Sequence, residues 1–234
     1  MRICILGTPR SGSQYLANVI EKSFRSAGIE MCNLSEPFTI TSRPGGGMLP
    51  VLSSSGKIYN EFGLNLFFDK QPQSEYVLSI LKKADPAQPL VLKYFMDLDN
   101  DLEHILTQLR ACGFKIIILK RSNIEHHLIS WGAGQLTGVW DSTFPNYVPD
   151  LKMNFTDDIL TSMESFYKHH LLRFDSINID APVVYYENLA TDIQRLINVP
   201  VDTDIKLKKQ LNIDPYTQIR NSEKVREFIK ELIK

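Results

Sequence analysis

Cysteine is scarce in this sequence. Three cysteines are present, Cys4, Cys32 and Cys112, and no two of them form a CxxC pair. An odd number of widely spaced cysteines argues against a disulfide framework and against a zinc site with the usual ligand spacing. Such cysteine usage fits a reducing compartment. We therefore expect a cytoplasmic protein without structural disulfides and without a metal site.

The sequence also lacks an excess of charge of one sign and long apolar runs. It has 26 Lys and Arg against 27 Asp and Glu, which gives a formal net charge of -1 at pH 7. Nucleic-acid-binding proteins usually show a basic excess. No apolar run approaches the roughly 18 residues of a membrane span, and the segment MRICILG is too short for a signal-peptide apolar region. We expect no nucleic-acid partner, no membrane span and no secretion signal.

Short apolar runs alternate with helical patterns along the 234 residues. Continuous apolar runs bounded by turn residues are typical of parallel strands covered on both faces. Four strands are predicted, at residues 2–6, 90–95, 115–119 and 182–186. Helices are predicted from residue 13, at 101–112, at 123–131, at 157–174 and at the C-terminus, with a long loop at 41–60 and an irregular stretch at 132–153. This order predicts one α/β domain over residues 1–234, with three layers and a mostly parallel central sheet.

The segment GTPRSGSQYL, residues 7–16, joins the first predicted strand to the first predicted helix. Gly7 and Gly12 would let the backbone curl around an anion, and the helix N-terminus offers unpaired N–H groups. This P-loop-like strand–loop–helix departs from the nucleoside-triphosphatase pattern GxxxxGK[ST], because Ser13 replaces the lysine and Gln14 replaces the metal-binding hydroxyl. Metal-assisted phosphoryl transfer is therefore poorly supported. Arg10 instead offers a planar fork of donors to phosphate or sulfate oxygens.

The run TPRSGSQYL resembles the 5′-phosphosulfate loop of sulfotransferases, which often reads PRSGST or PKSGTT. The resemblance implies a metal-free donor, 3′-phosphoadenosine 5′-phosphosulfate (PAPS). It implies that the loop residues bind this donor, namely Arg10, Ser11, Gly12, Ser13 and Gln14. Gln14 departs from the family, which usually has Thr at this position.

A second anion site is implied for the 3′-phosphate of PAPS. In the family it consists of an Arg at the end of a later strand and a Ser one helix away. The run KIIILKRSNIEHHLISW offers Arg121 and Ser130, nine residues apart, which is the spacing of the bacterial trehalose sulfotransferase type. Trp131 and the run GVW at 138–140 resemble further features of that type. The run IRNSEKV resembles a C-terminal segment that reaches the nucleotide, which makes Arg220 a further candidate.

Sulfuryl transfer to an alcohol needs a general base that takes the hydroxyl proton. The trehalose-type enzymes have a catalytic Glu in a Glu-Pro pair, and Glu36–Pro37 matches it. Lys93 resembles a family lysine that places positive charge near the transferred group, and Arg10 would share this catalytic role. The rival bases are His104, His169 and His170, which lie on helical patterns.

The resemblance implies an enzyme that transfers a sulfuryl group from PAPS to a hydroxyl of a small acceptor, such as a sugar or glycolipid. The Gly-rich run at 44–47 and the aromatic residues Trp140, Phe144 and Tyr147 would shape the acceptor site. A homodimer is left open. Two alternatives also stay open. One is a P-loop nucleotide phosphotransferase or hydrolase, and the other is a non-catalytic nucleotide-binding module.

Overall fold

The structure is a computed structural model that describes residues 1–38, 48–62, 73–95, 102–138, 152–201 and 214–234. The predictions on residues 44–47 and on Trp140, Phe144 and Tyr147 lie outside this part of the chain. Within it, no helix is both long and apolar enough to cross a membrane.

Strands and helices alternate over much of the described chain, although three strands follow one another between the first and second helices. The strands are β1 (Arg2–Gly7), β2 (Cys32–Asn33), β3 (Met48–Leu52), β4 (Ile58–Phe62), β5 (Leu90–Phe95), β6 (Phe114–Lys120) and β7 (Val183–Tyr185). The helices are α1 (Ser13–Ser26), α2 (Gln73–Lys83), α3 (Leu102–Ala111), α4 (Ile124–Thr137), α5 (Asp157–Phe166), α6 (Leu172–Ser176), α7 (Leu189–Gln194) and α8 (Ser222–Leu232). A π-helical turn, Tyr167–Leu171, joins α5 to α6.

Five strands form a parallel sheet in the order β2-β5-β1-β6-β7. The first strand of the chain is therefore central, with Leu6 level with Tyr94 of β5 and Ile118 of β6. The α/β class and the mostly parallel sheet are confirmed. Strands β3 and β4 form a separate antiparallel hairpin.

Successive residues of the central strands point to opposite faces, and each face packs against helices. On one face Cys4, Leu6 and Leu92 pack with residues of α2 and α3. On the other face Ile3 and Ile5 pack with residues of α1 and α7. A further cluster joins α4, α5 and α8, away from the sheet. Helices on both faces of a parallel sheet form the predicted three layers.

Four boundaries differ from the prediction. Residues 48–62 form the β3–β4 hairpin, so the loop predicted over 41–60 is wrong for its second part. Helix α4 extends to Thr137, so residues 132–137 are helical. The helix predicted over 157–174 contains the π-helical turn, and the last strand ends at Tyr185 because Tyr186 begins a short 3-10 turn.

Candidate functional site

Most of the candidate residues lie at or near the carboxyl ends of the parallel strands. The loop of residues 8–12 follows β1, Glu36 follows β2, and Arg121 follows β6 directly. Lys93 is near the end of β5 and level with Ile5 of β1. From β1, the chain continues to one side of the sheet through α1 and β2, and later crosses to β6 on the other side. Open parallel sheets bind ligands where the strand order reverses in this way.

The backbone of the β1–α1 loop is shaped by two residues with positive φ. Gly12 is the N-cap of α1 with φ 93°, and no side chain caps the helix there. A Cβ at Gly12 would lie 2.3 Å from Cδ2 of Tyr186, so both the conformation and the space require glycine. Arg10 also has a positive φ, 65°. The uncapped N–H groups at the start of this 14-residue helix form a place for an anion.

Two side chains of helix α4 form hydrogen bonds with the loop of residues 8–12. Nε2 of His127 lies 2.8 Å from the Pro9 carbonyl oxygen and 3.5 Å from Oγ1 of Thr8. Burial lowers the pKa of His127 to about 3, so the ring is neutral near pH 7 and can donate to Pro9. One turn later on α4, Oγ of Ser130 accepts a hydrogen bond of 3.0 Å from Nε of Arg10. The predicted loop residue and the predicted second-site residue are thus in direct contact.

Arg121 is a largely buried cation at the end of β6. Its guanidinium lies 4.5 Å from the ring centroid of Tyr186. Its Nε has no hydrogen-bond partner among the described residues, and NH1 makes only a long contact of 3.4 Å with the His126 carbonyl oxygen. Burial lowers the pKa of Arg121, partly offset by Tyr186 and Glu187. Buried polar groups are rarely left without partners, so Arg121 is suited to receive an anion.

The neighbouring carboxylate of Glu187 does not neutralise Arg121 by a direct ion pair. Its two oxygens accept hydrogen bonds from the backbone N–H groups of Ser122 and Asn123, at 3.1 and 3.3 Å. Burial raises the pKa of Glu187, but these hydrogen bonds outweigh it and the net shift is downward. Glu187 therefore fixes the turn after Arg121 as an ionised carboxylate.

Lys93 brings two further candidates together. Its ammonium donates to Oε1 of Glu36 at 2.6 Å and to Oε1 of Gln14 at 2.5 Å. The Lys93 side chain is only 3% exposed, whereas that of Glu36 is 33% exposed. A buried ammonium requires such oxygen partners. Because Glu36 is partly open and fixed at one oxygen, its carboxylate is placed to meet a hydroxyl that enters from solvent.

The remaining candidates differ in position. Ser11 and Ser13 are buried in the loop, and Oγ of Ser11 has no hydrogen-bond partner among the described residues. Arg220 is exposed, and the described contacts do not join its side chain to the loop or to Arg121. The rival bases His104 and His169 are also exposed on their helices. Direct contacts therefore form two groups, Arg10 with Ser130 and Lys93 with Gln14 and Glu36, and the described contacts join Arg220 to neither.

Sequence reasoning missed the roles of Tyr186 and His127. Tyr186 packs its ring between Gly12 and Arg121, and His127 bonds the loop backbone. The sequence motifs assign no site role to the run YYENL or to the histidine pair at 126 and 127. A buried position on an otherwise apolar helix face is the signal that distinguishes His127 from its neighbour.

The chain matches no model of a known protein family, and no curated protein is significantly similar to it. The sulfotransferase resemblance therefore stays a prediction based on short motifs. Within the described ranges, no group of three His, Cys, Asp or Glu residues is arranged to hold a metal ion.

Proposed function

We propose that the protein transfers a sulfuryl group from PAPS to a hydroxyl of a small acceptor of the sugar class. The observation that supports the proposal is a pair of hydrogen-bond donor groups at one edge of the sheet, each suited to an anion. The first is the uncapped start of α1 with Arg10, and the second is the buried guanidinium of Arg121. The ring of Tyr186 contacts both, and Ser130 contacts Arg10. A nucleotide with a 5′-phosphosulfate and a 3′-phosphate suits two linked cationic positions.

The residues present fit this donor. The first-turn N–H groups of α1 and Arg10 would hold the 5′-phosphosulfate, and Arg121 with Ser130 would hold the 3′-phosphate. PAPS supplies an activated sulfuryl group with a phosphate as its leaving group. The carboxylate of Glu36 takes the proton of the acceptor hydroxyl while the hydroxyl oxygen forms the new bond to sulfur and the bond between sulfur and the phosphate oxygen breaks. Lys93 and the loop N–H groups stabilise the negative charge that develops on the leaving phosphate oxygen.

The two alternatives make different demands on the same residues. A P-loop phosphotransferase would need a metal-binding hydroxyl, and the loop has Gln14 where that group belongs. A non-catalytic module would need no base, yet Glu36 lies beside the buried Lys93 and remains partly open. The proposed transferase uses Glu36 as a base and Lys93 as a cation, which favours it over the alternatives.

A thermal-shift titration tests the proposal directly. We expect 3′,5′-diphosphoadenosine, the product of the donor, to raise the melting temperature without Mg²⁺. A ligand that binds only the folded state stabilises it by roughly 2.7 kcal/mol at a hundredfold excess over Kd. ADP is the matched control, with and without Mg²⁺. A shift only with ADP and Mg²⁺ would overturn the proposal in favour of the phosphotransferase.

Two arginine substitutions test the paired anion positions. Arg10→Ala and Arg121→Ala should each weaken binding of 3′,5′-diphosphoadenosine by about 10- to 100-fold, because each removes a charged hydrogen-bond donor. Isothermal titration calorimetry measures both affinities. Arg110→Ala is the control, since Arg110 is exposed at the end of α3 near the opposite edge of the sheet. Unchanged affinity in both variants would refute the two-position site.

A further inference from the structure

Both ends of the Gln14 amide are hydrogen-bonded. Its Nε2 donates to Oδ1 of Asn18 at 2.9 Å, and its Oε1 accepts from Nζ of Lys93 at 2.5 Å. Asn33 also donates to Oδ1 of Asn18, at 3.5 Å, which is consistent with that atom being an acceptor. Because an ammonium only donates, the oxygen of Gln14 must face Lys93. The oxygen of Gln14 is therefore used by Lys93, and one N–H of its amide is used by Asn18.

Lys93 is brought to the loop from a different strand. It lies on β5, beside Ile5 of the central strand, and its side chain is almost completely buried. Its ammonium donates one hydrogen bond to Gln14 in the first turn of α1 and another to the carboxylate of Glu36, which follows β2. The loop has Ser13 at the position where a nucleoside-triphosphatase loop has a lysine after its second glycine, so in this chain a lysine reaches the start of α1 from another strand.

We propose that Gln14 is a positioning residue: its side-chain carbonyl holds the Lys93 ammonium at the start of α1, so that β5 supplies a second cation beside the loop, in addition to Arg10. The tether follows from the contacts alone. Its use in charge stabilisation during sulfuryl transfer rests on the proposed function.

The neutrality of Gln14 matters for an anionic ligand. With Gln14, the charges of Lys93 and Glu36 cancel, so the group is neutral and becomes cationic when Glu36 takes a proton. A glutamate at position 14 would still hold the ammonium, but it would leave the group with a net negative charge beside the anion position. A negative charge next to a bound anion repels it, and the repulsion is stronger in a partly buried site than in water. A neutral acceptor is therefore the side chain that positions the lysine without repelling the donor.

The tether is tested by nitrogen-15 spectra of the lysine ammonium groups. A buried ammonium held by two oxygens exchanges slowly with water, so we expect one resonance from Lys93, which Lys93→Met identifies by its loss. Gln14→Leu should broaden or shift this resonance, and Gln14→Glu should keep it. Gln135→Leu, an exposed position on α4, is the matched control and should leave it unchanged. A resonance unaffected by Gln14→Leu would overturn the tether.

The role in binding is tested by a double-mutant cycle with 3′,5′-diphosphoadenosine. Because Gln14 acts through Lys93, Gln14→Leu should weaken binding no more than Lys93→Met does. The double variant should have the same affinity for the nucleotide as Lys93→Met alone. Gln14→Glu should weaken binding by at least about 10-fold. Additive losses in the double variant would mean that Gln14 contacts the nucleotide itself, which contradicts the inference.

The outcomes separate this inference from the proposed function. If the unmodified protein binds no 3′,5′-diphosphoadenosine, the proposed function fails, whereas the ammonium spectra still decide whether Gln14 holds Lys93. Melting temperatures of all variants establish that each one is folded. If Gln14→Leu does not fold, Gln14→Glu serves instead, and loss of the Lys93 resonance in that variant would overturn the tether.

Discussion

At the scale of single residues, His127 makes stability depend on pH. Burial keeps its pKa near 3 in the folded chain, whereas an unfolded histidine titrates near 6.5. Between these values the unfolded state binds the extra proton, so stability is complete above about pH 6.5 and falls as the pH drops. At pH 5 the loss is about 2 kcal/mol. His127→Gln, which can still donate to Pro9, should flatten this fall in urea unfolding measured at pH 7.5 and 5.

The control for His127 is His169→Gln, an exposed position in the π-helical turn Tyr167–Leu171. That variant should show the same fall in stability between pH 7.5 and 5 as the unmodified protein. If His127→Gln shows the same fall in stability between pH 7.5 and 5 as the unmodified protein, the buried ring is not the group that titrates. The assignment of His127 as a neutral donor to Pro9 would then be wrong.

Some single-residue roles follow from sequence, and others need the fold. The requirement for glycine at position 12 could be predicted from the loop pattern. Loops of this kind place a residue with positive φ at this position, and glycine adopts positive φ without a steric penalty. The contact between Gln14 and Lys93 spans 79 residues and depends on the register of β5 against β1. No local pattern specifies that register, so the partner of Gln14 could not be predicted.

At the scale of elements, Gly132 explains why the end of α4 was predicted wrongly. Glycines at 132 and 134 suggest that a helix stops, since glycine weakens a helix interior. In the structure, a Cβ at Gly132 would lie 2.6 Å from Cε2 of Phe155 and 2.9 Å from Sδ of Met163. Position 132 of α4 is thus a glycine because Phe155, just before α5, and Met163, on α5, pack directly against the helix there. The continuous apolar strands β1, β5 and β6 were predicted because burial on both faces leaves a local signal.

The ends of α2 and α3 are joined by one buried arginine at the start of β1. Arg2 donates to the carbonyl oxygens of Cys112 at 2.8 Å and Asp85 at 2.7 Å, with longer contacts of 3.4 Å to Leu81 and Ala84. Arg2→Met should destabilise the protein by about 2–4 kcal/mol, because buried carbonyls lose their donor. Urea unfolding at neutral pH measures this change.

The matched substitution for Arg2 is Arg25→Met, whose side chain is 72% exposed and forms a surface pair with Glu21. Exposed pairs contribute little, so a change under about 0.5 kcal/mol is expected. Equal stabilities of the two variants would show that Arg2 does not link α2 and α3.

At the scale of the whole molecule, the strand order assembles the site. Loops that are far apart in sequence meet because β2, β5, β1 and β6 are parallel neighbours and their carboxyl ends lie at one edge. Sequence predicts parallel strands but not their order. The proximity of Arg10 to Ser130 and of Glu36 to Lys93 therefore depends on topology that the motifs alone do not contain.

Glu36→Gln separates an enzyme from a binding module with the same fold. The change removes the base but keeps an oxygen for Lys93, so sulfuryl transfer should fall by roughly 10²- to 10⁴-fold. Affinity for 3′,5′-diphosphoadenosine should stay the same or rise, because Lys93 loses its counter-charge. The measurements are nucleotide release from PAPS with sugar acceptors and calorimetric affinity, with Glu30→Gln on the exposed surface as control. Undiminished transfer in Glu36→Gln would assign the base to another residue. Tight nucleotide binding without transfer by the unmodified protein would instead identify a binding module.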